Sequence, residues 1–105
     1  MTLKEKKEIK ELWKLFPKTI KVRVVPCEEG GYCAEVLEPK SLTGVITEEE
    51  TLSGLTEMLN DAIYCALDIP EKYYPFMVVY RENQGLTKSL GSNKIVMYHY
   101  SSPDL

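Results

Sequence analysis

Two-metal cleavage of a phosphodiester needs about three or four carboxylates converging from neighbouring strands and a helix. This chain offers few acids in such places: Glu35 stands alone in the middle of an alternating apolar run, and Asp61 and Asp68 fall on or beyond a helical stripe. A two-metal nuclease site is therefore not expected. The acidic run Glu48-Glu49-Glu50 precedes Thr51 and a periodic apolar segment. Negative charge there interacts favourably with a helix N-terminus, which explains the run more simply than a metal does.

The single histidine, His99, lies in a strand-like run, and no motif ties a Ser or Cys to it, so it reads as a surface or half-buried strand residue. Gly85 and Gly91-Ser92-Asn93-Lys94 echo a phosphate loop without its spacing, and they read as a connection between strands. The three cysteines, Cys27, Cys33 and Cys65, fit neither a disulfide framework nor a paired zinc motif. Reduced, outward-facing thiols in a cytosol are the simpler reading, with a cross-strand disulfide or redox pair between Cys27 and Cys33 as the alternative. No catalytic residue, metal or cofactor is expected.

Tyrosine is the most conspicuous remaining side chain, with Tyr73, Tyr74, Tyr80, Tyr98 and Tyr100 all late in the chain. It suits interface hot spots, because it brings large area at low rotamer cost, and it equally suits the interior of strands.

A length of 105 residues, 44% of them hydrophobic and 28% charged, is that of one ordinary globular domain. The net charge of −3 argues against a phosphate-neutralising surface. No apolar run approaches the length of a bilayer span, and the N-terminal residues lack the apolar core of a secretory signal, so a cytoplasmic, non-membrane protein is expected.

The elements follow from periodicity. Thr2 and Glu5 form a capping-box pattern before Ile9, Leu12, Trp13 and Phe16, which predicts an amphipathic helix ended by Pro17. Lysines and glutamates alternate along its other face, which reads as solvated. Ile20, Val22 and Val24 alternate with Lys21 and Arg23, and Tyr32, Ala34 and Val36 with Cys33 and Glu35, which predicts two strands joined by Glu28-Glu29-Gly30-Gly31. An odd loop centred on Glu29-Gly30-Gly31 would set Cys27 opposite Cys33. A short strand is expected around Gly44 to Thr47, then a helix carrying Leu55, Leu59, Ala62, Ile63 and Ala66 and ending by Pro70. That stripe should pack on Val22, Val24, Ala34 and Val36. Pro75 to Arg81 and Lys94 to Tyr100 read as strands joined by the polar stretch Glu82 to Asn93.

From Ile20 to Leu67 these pieces form an ordered pattern. A strand leads to an acidic Gly-Gly-Tyr turn, a strand ending Ala34-Glu35-Val36, then Gly44-Val45-Ile46-Thr47, and Glu50-Thr51-Leu52 opening a Leu/Ala-rich helix. About half of the chain in this way resembles the HicB-like antitoxin family. The resemblance implies a truncated ribonuclease-H-like fold of order β-β-β-α-β without nuclease carboxylates. To it this chain adds an N-terminal helix over residues 1–17 and a C-terminal strand, giving an α+β domain over 18–100 and a frayed tail over 101–105. The segment Leu37 to Thr43 lacks the Pro-Gly-Cys element common in the family.

The resemblance implies a non-catalytic module that binds and occludes a small basic ribonuclease toxin. No helix-turn-helix or ribbon-helix-helix module is recognisable, so direct DNA binding is not expected. The alternative is a stand-alone structural or regulatory domain that self-associates as a homo-oligomer. In either case the contact surface is expected on the sheet, at Lys21, Arg23, Glu35, Tyr80, Tyr98 and Tyr100.

Overall fold

The computed structural model describes residues 1–82 and 94–103. Its elements are α1 (Leu3–Trp13), β1 (Thr19–Pro26), β2 (Tyr32–Glu38), β3 (Ile46–Glu49), α2 (Leu52–Ala66), β4 (Val79–Glu82) and β5 (Lys94–Ser101), with short 3₁₀ helices at Lys40–Leu42 and Glu71–Phe76. All five strands pair antiparallel in one sheet of order β3-β2-β1-β5-β4. The α+β class is thus shown. The loop expected between Glu82 and Asn93, with its glycines, lies outside the described residues from 83 onward, as do residues 104–105 of the tail.

Both helices start where local chemistry says they should. Thr2 Oγ1 accepts from the Glu5 N–H, and the Thr2 N–H donates to Glu5 Oε1, each at 3.1 Å, so two otherwise orphaned donors at the start of α1 are satisfied. Thr51 Oγ1 caps α2 by accepting from Gly54 N–H at 3.0 Å.

The even-numbered residues of β1, β2, β4 and β5 face the helices, whereas in β3 the parity is reversed and Ile46 and Glu48 face away. Ile20, Val22, Val24, Ala34, Val36, Val96 and Tyr98 form the core with Leu55, Leu59 and Ile63 of α2. Helix α1 is fixed by more than its apolar stripe, since Trp13 Nε1 donates to Phe76 O at 2.9 Å and Tyr73 Oη donates to Glu8 Oε2 at 3.0 Å. Phe16 then packs its ring against Tyr64 and Tyr80, which closes that end of the core.

Five expectations are corrected. In the hairpin, Val25 lies opposite Cys33 and Val24 opposite Ala34, two residues away from a Cys27–Cys33 pairing. A slip of two leaves every side chain on the same face, so apolar alternation cannot choose between these registers. The turn chooses: Cys27 N–H donates to Gly31 O and Gly30 N–H to Cys27 O, with both glycines at positive φ. Second, β3 runs from Ile46 to Glu49 instead of ending at Thr47, so Glu48 and Glu49 belong to the sheet and not to an approach segment leading into α2. Third, Ala66 is exposed, and the buried stripe of α2 runs instead through Asn60 and Tyr64.

Fourth, Pro75 and Phe76 lie in a 3₁₀ helix and β4 begins only at Val79, because Tyr73 N–H bonds Pro70 O and Met77 N–H bonds Tyr74 O in successive tight turns. The fifth concerns the thiols: Cys27 and Cys33 are bridged, and Cys65 alone is a free, exposed thiol. The turn brings their Cα atoms to 6.0 Å, within bridging distance even though the two residues are not directly paired.

Candidate functional site: an open sheet face ending in an acidic depression

The face of the sheet away from the helices carries the odd-numbered residues of β1, β2, β4 and β5 and the even-numbered residues of β3. Lys21 faces Met97 across the β1–β5 ladder, Arg23 faces Ile95, and Arg23 faces Glu35 across β1–β2. Arg23 Nη2 donates to Glu35 Oε1 at 2.7 Å. Glu35, the acid that a two-metal nuclease would need, is thereby committed to an arginine. Asp61 and Asp68 are exposed at α2 and just beyond it.

Apolar side chains surround this ion pair. Ile46 is 63% exposed and Ile95 45%, with Val25 and Met97 half-buried between the strands. A small hollow of about 140 Å³ lies among Arg23, Val25, Cys33, Glu35 and Ile46. His99 is exposed on the same face, opposite Thr19 and Arg81.

Beyond Cys33 the face runs into a larger depression of about 610 Å³ at the hairpin end. Glu28 and Glu29 come from the turn, Glu48 and Glu49 from β3, and Glu50 from its exit; Tyr32 and the disulfide complete the lining. The β2–β3 ladder is what brings the two acidic runs together, by pairing Tyr32 with Glu49 and Cys33 with Glu48. Gly31 permits that closeness, since a Cβ there would lie 2.8 Å from Glu49 O. Glu48 Oε2 stands 3.9 Å from Cys33 Sγ. Cys27, Cys33 and Glu48 offer ligand atoms all within 4.8 Å of one another, the grouping of that kind found among the described residues.

The six residues singled out from sequence therefore separate. Lys21, Arg23 and Glu35 share the open face, as their alternation implied. Tyr80 and Tyr98 point the other way and are 0% and 3% exposed, so they are core residues of this chain and present no surface to a partner. Tyr100, half-buried, sits across from Tyr80 on the helix-covered side. Burial raises the Tyr80 and Tyr98 hydroxyl pKa values, as it does that of Tyr64, which is pushed up to about 12. Sequence reasoning missed Glu48 as a neighbour of the cysteines. Extending β3 by two residues would have revealed it, because the ladder then sets Glu48 against Cys33.

No helix of the described residues is long and apolar enough to cross a membrane. No family model, curated protein or solved structure matches this chain.

Proposed function

We propose that this chain is a non-catalytic binding module of the antitoxin kind, which seats a small basic protein on the open face of its sheet. The observation that carries the reading is the continuity of that face with the glutamate-lined depression through Cys33. Exposed Ile46 and Ile95 supply apolar contact, and the glutamates at the hairpin end supply charge opposite to a basic surface. The sequence resemblance to HicB-like antitoxins supports a ribonuclease toxin as the basic protein, and the commitment of Glu35 to Arg23 supports a role without nuclease chemistry.

A second reading, self-association, has its own support in the same exposed isoleucines and in the terminal position of β3 in the sheet. Ionic strength separates the two. Binding of a basic partner to this acidic chain weakens as salt rises, whereas screening helps like-charged copies to associate. Co-expression with the product of the neighbouring reading frame, followed by sedimentation at low and high salt, tests both. A salt-sensitive complex that Glu29→Lys or Ile46→Lys disrupts is the expected result. A chain that stays monomeric at every salt concentration and ignores that neighbour would overturn the binding reading.

A further inference from the structure

We propose that the Cys27–Cys33 bridge is one state of a redox-controlled metal site: once it is reduced, the two thiolates and the Glu48 carboxylate chelate one thiophilic divalent cation of the zinc class. This inference is independent of what the open face binds.

The backbone already suits both states. Cys27 and Cys33 flank a turn that folds tightly enough to hold their Cα atoms 6.0 Å apart, and the β2–β3 ladder presents Glu48 from a second strand directly opposite Cys33. Zinc binds sulfur at about 2.3 Å and carboxylate oxygen at about 2.0–2.2 Å, so tetrahedral ligands lie roughly 3.5–3.8 Å from one another. The three candidate ligand atoms lie within 4.8 Å of one another. Parting the sulfurs and drawing in the carboxylate are therefore side-chain rotations, with no strand displaced.

The donor set decides the class of metal. Two thiolates beside one carboxylate favour zinc-like cations over magnesium or calcium, which prefer all-oxygen shells. Glu28, Glu29, Glu49 and Glu50 line the same depression and concentrate negative potential there. That potential draws in a cation, and because the metal takes its cysteine ligands as thiolates, binding releases protons and tightens as pH rises. The cysteines are half-buried and Glu48 is exposed, which leaves the fourth position accessible to water or to a neighbouring glutamate.

Switching needs a co-reactant, and a low-molecular-weight disulfide suffices. One cysteine thiolate attacks it, forming a mixed disulfide and expelling one small thiolate. The second cysteine then attacks the mixed disulfide, closing the Cys27–Cys33 bond and expelling the other. Two electrons pass from the protein sulfurs to the small disulfide, and the cation, deprived of both thiolates, is released.

The test uses the full chain carrying Cys65→Ser, which removes the free exposed thiol, alongside the unaltered chain. Cobalt(II) alone is titrated into reduced and oxidised protein, and zinc is then added in competition with a chromophoric chelator. The reduced protein should bind one equivalent of cobalt with thiolate-to-metal charge transfer and the visible bands of a tetrahedral ion, and zinc should displace it. Glu48→Gln should keep the thiolate bands but weaken zinc binding by about tenfold or more. Cys33→Ser should abolish the bands, and oxidised glutathione should release the zinc. Absence of charge transfer in the reduced protein would overturn the proposal. So would zinc affinity unchanged by Glu48→Gln, or equal affinity in the oxidised protein, which would assign binding to the glutamates alone.

Discussion

Asn60 and Tyr80 bind each other twice: Asn60 Nδ2 donates to Tyr80 O at 3.1 Å, and the Tyr80 N–H donates to Asn60 Oδ1 at 2.7 Å. Among the described residues β4 ends the sheet, and at Tyr80 the side-chain amide of α2 takes the place that a neighbouring strand would fill. Asn60 is only 6% exposed, so no water replaces it. Replacing it with Leu strands two buried backbone groups, and the expected loss is about 3 kcal/mol. Urea titration measures it. A loss under about 1 kcal/mol would mean that the Tyr80 backbone finds other partners.

Gly31 and Gly30 should respond differently to alanine. Both have positive φ, but a Cβ at Gly31 would lie 2.8 Å from Glu49 O, whereas the one at Gly30 meets nothing within 4 Å. Left-handed strain alone costs roughly 1–2 kcal/mol, and Gly31→Ala adds displacement of β3 to it. Denaturant midpoints should therefore rank Gly31→Ala below Gly30→Ala, and the reverse order would contradict the β2–β3 approach.

The disulfide closes a short loop. With cysteines six positions apart, chain-entropy reasoning gives it roughly 2 kcal/mol of stability. In the presence of a chelator, reductant should lower the melting temperature of the unaltered chain and leave Cys27→Ser/Cys33→Ser unmoved. Equal response of the two proteins would show that the bridge does not form in solution.

Alkali should unfold the protein through its core tyrosines. Burial pushes Tyr64 up to about 12, helped by the nearby Asp61 charge, and Tyr64 Oη donates to Val78 O at 2.7 Å. Tyr80, raised by burial and by its Tyr100 and Tyr64 neighbours, donates to Pro17 O. An acid whose folded pKa exceeds its unfolded value of about 10 keeps its proton longer in the folded state. Its contribution is complete below about pH 10 and is lost as pH rises through the folded value, by about 1.4 kcal/mol per pH unit for each tyrosine. Urea titrations from pH 9 to 12 should show this decline, with a shallower slope in Tyr64→Phe. An unchanged slope would remove Tyr64 from the cause.

Arg23 and Glu35 should matter little to folding. Their side chains are 45% and 35% exposed, and ion pairs that accessible contribute less than about 1 kcal/mol. Arg23→Ala and Glu35→Ala should melt close to the unaltered chain, which makes them clean probes of partner binding. A loss of several kcal/mol from either would place the pair in a structural role.

What could be read from the sequence alone is what acts over a few residues. Thr2 and Thr51 announced their helices through caps that reach three residues, and the alternation around Val22 and Ala34 told which side of each strand is covered. That alternation also placed Lys21, Arg23 and Glu35 together on the open face. Tertiary structure decided whatever alternation leaves degenerate. A two-residue slip preserves parity, so only the hydrogen bonds of the Gly30-Gly31 turn selected the hairpin register. Tyrosine suits a covered strand face and an interface equally, so residue type could not choose between them, and only packing under the helices made Tyr80 and Tyr98 core. The hairpin pattern already brought Cys27 near Cys33, but the arrival of Glu48 beside them needed the β2–β3 register, which nothing along the chain signals.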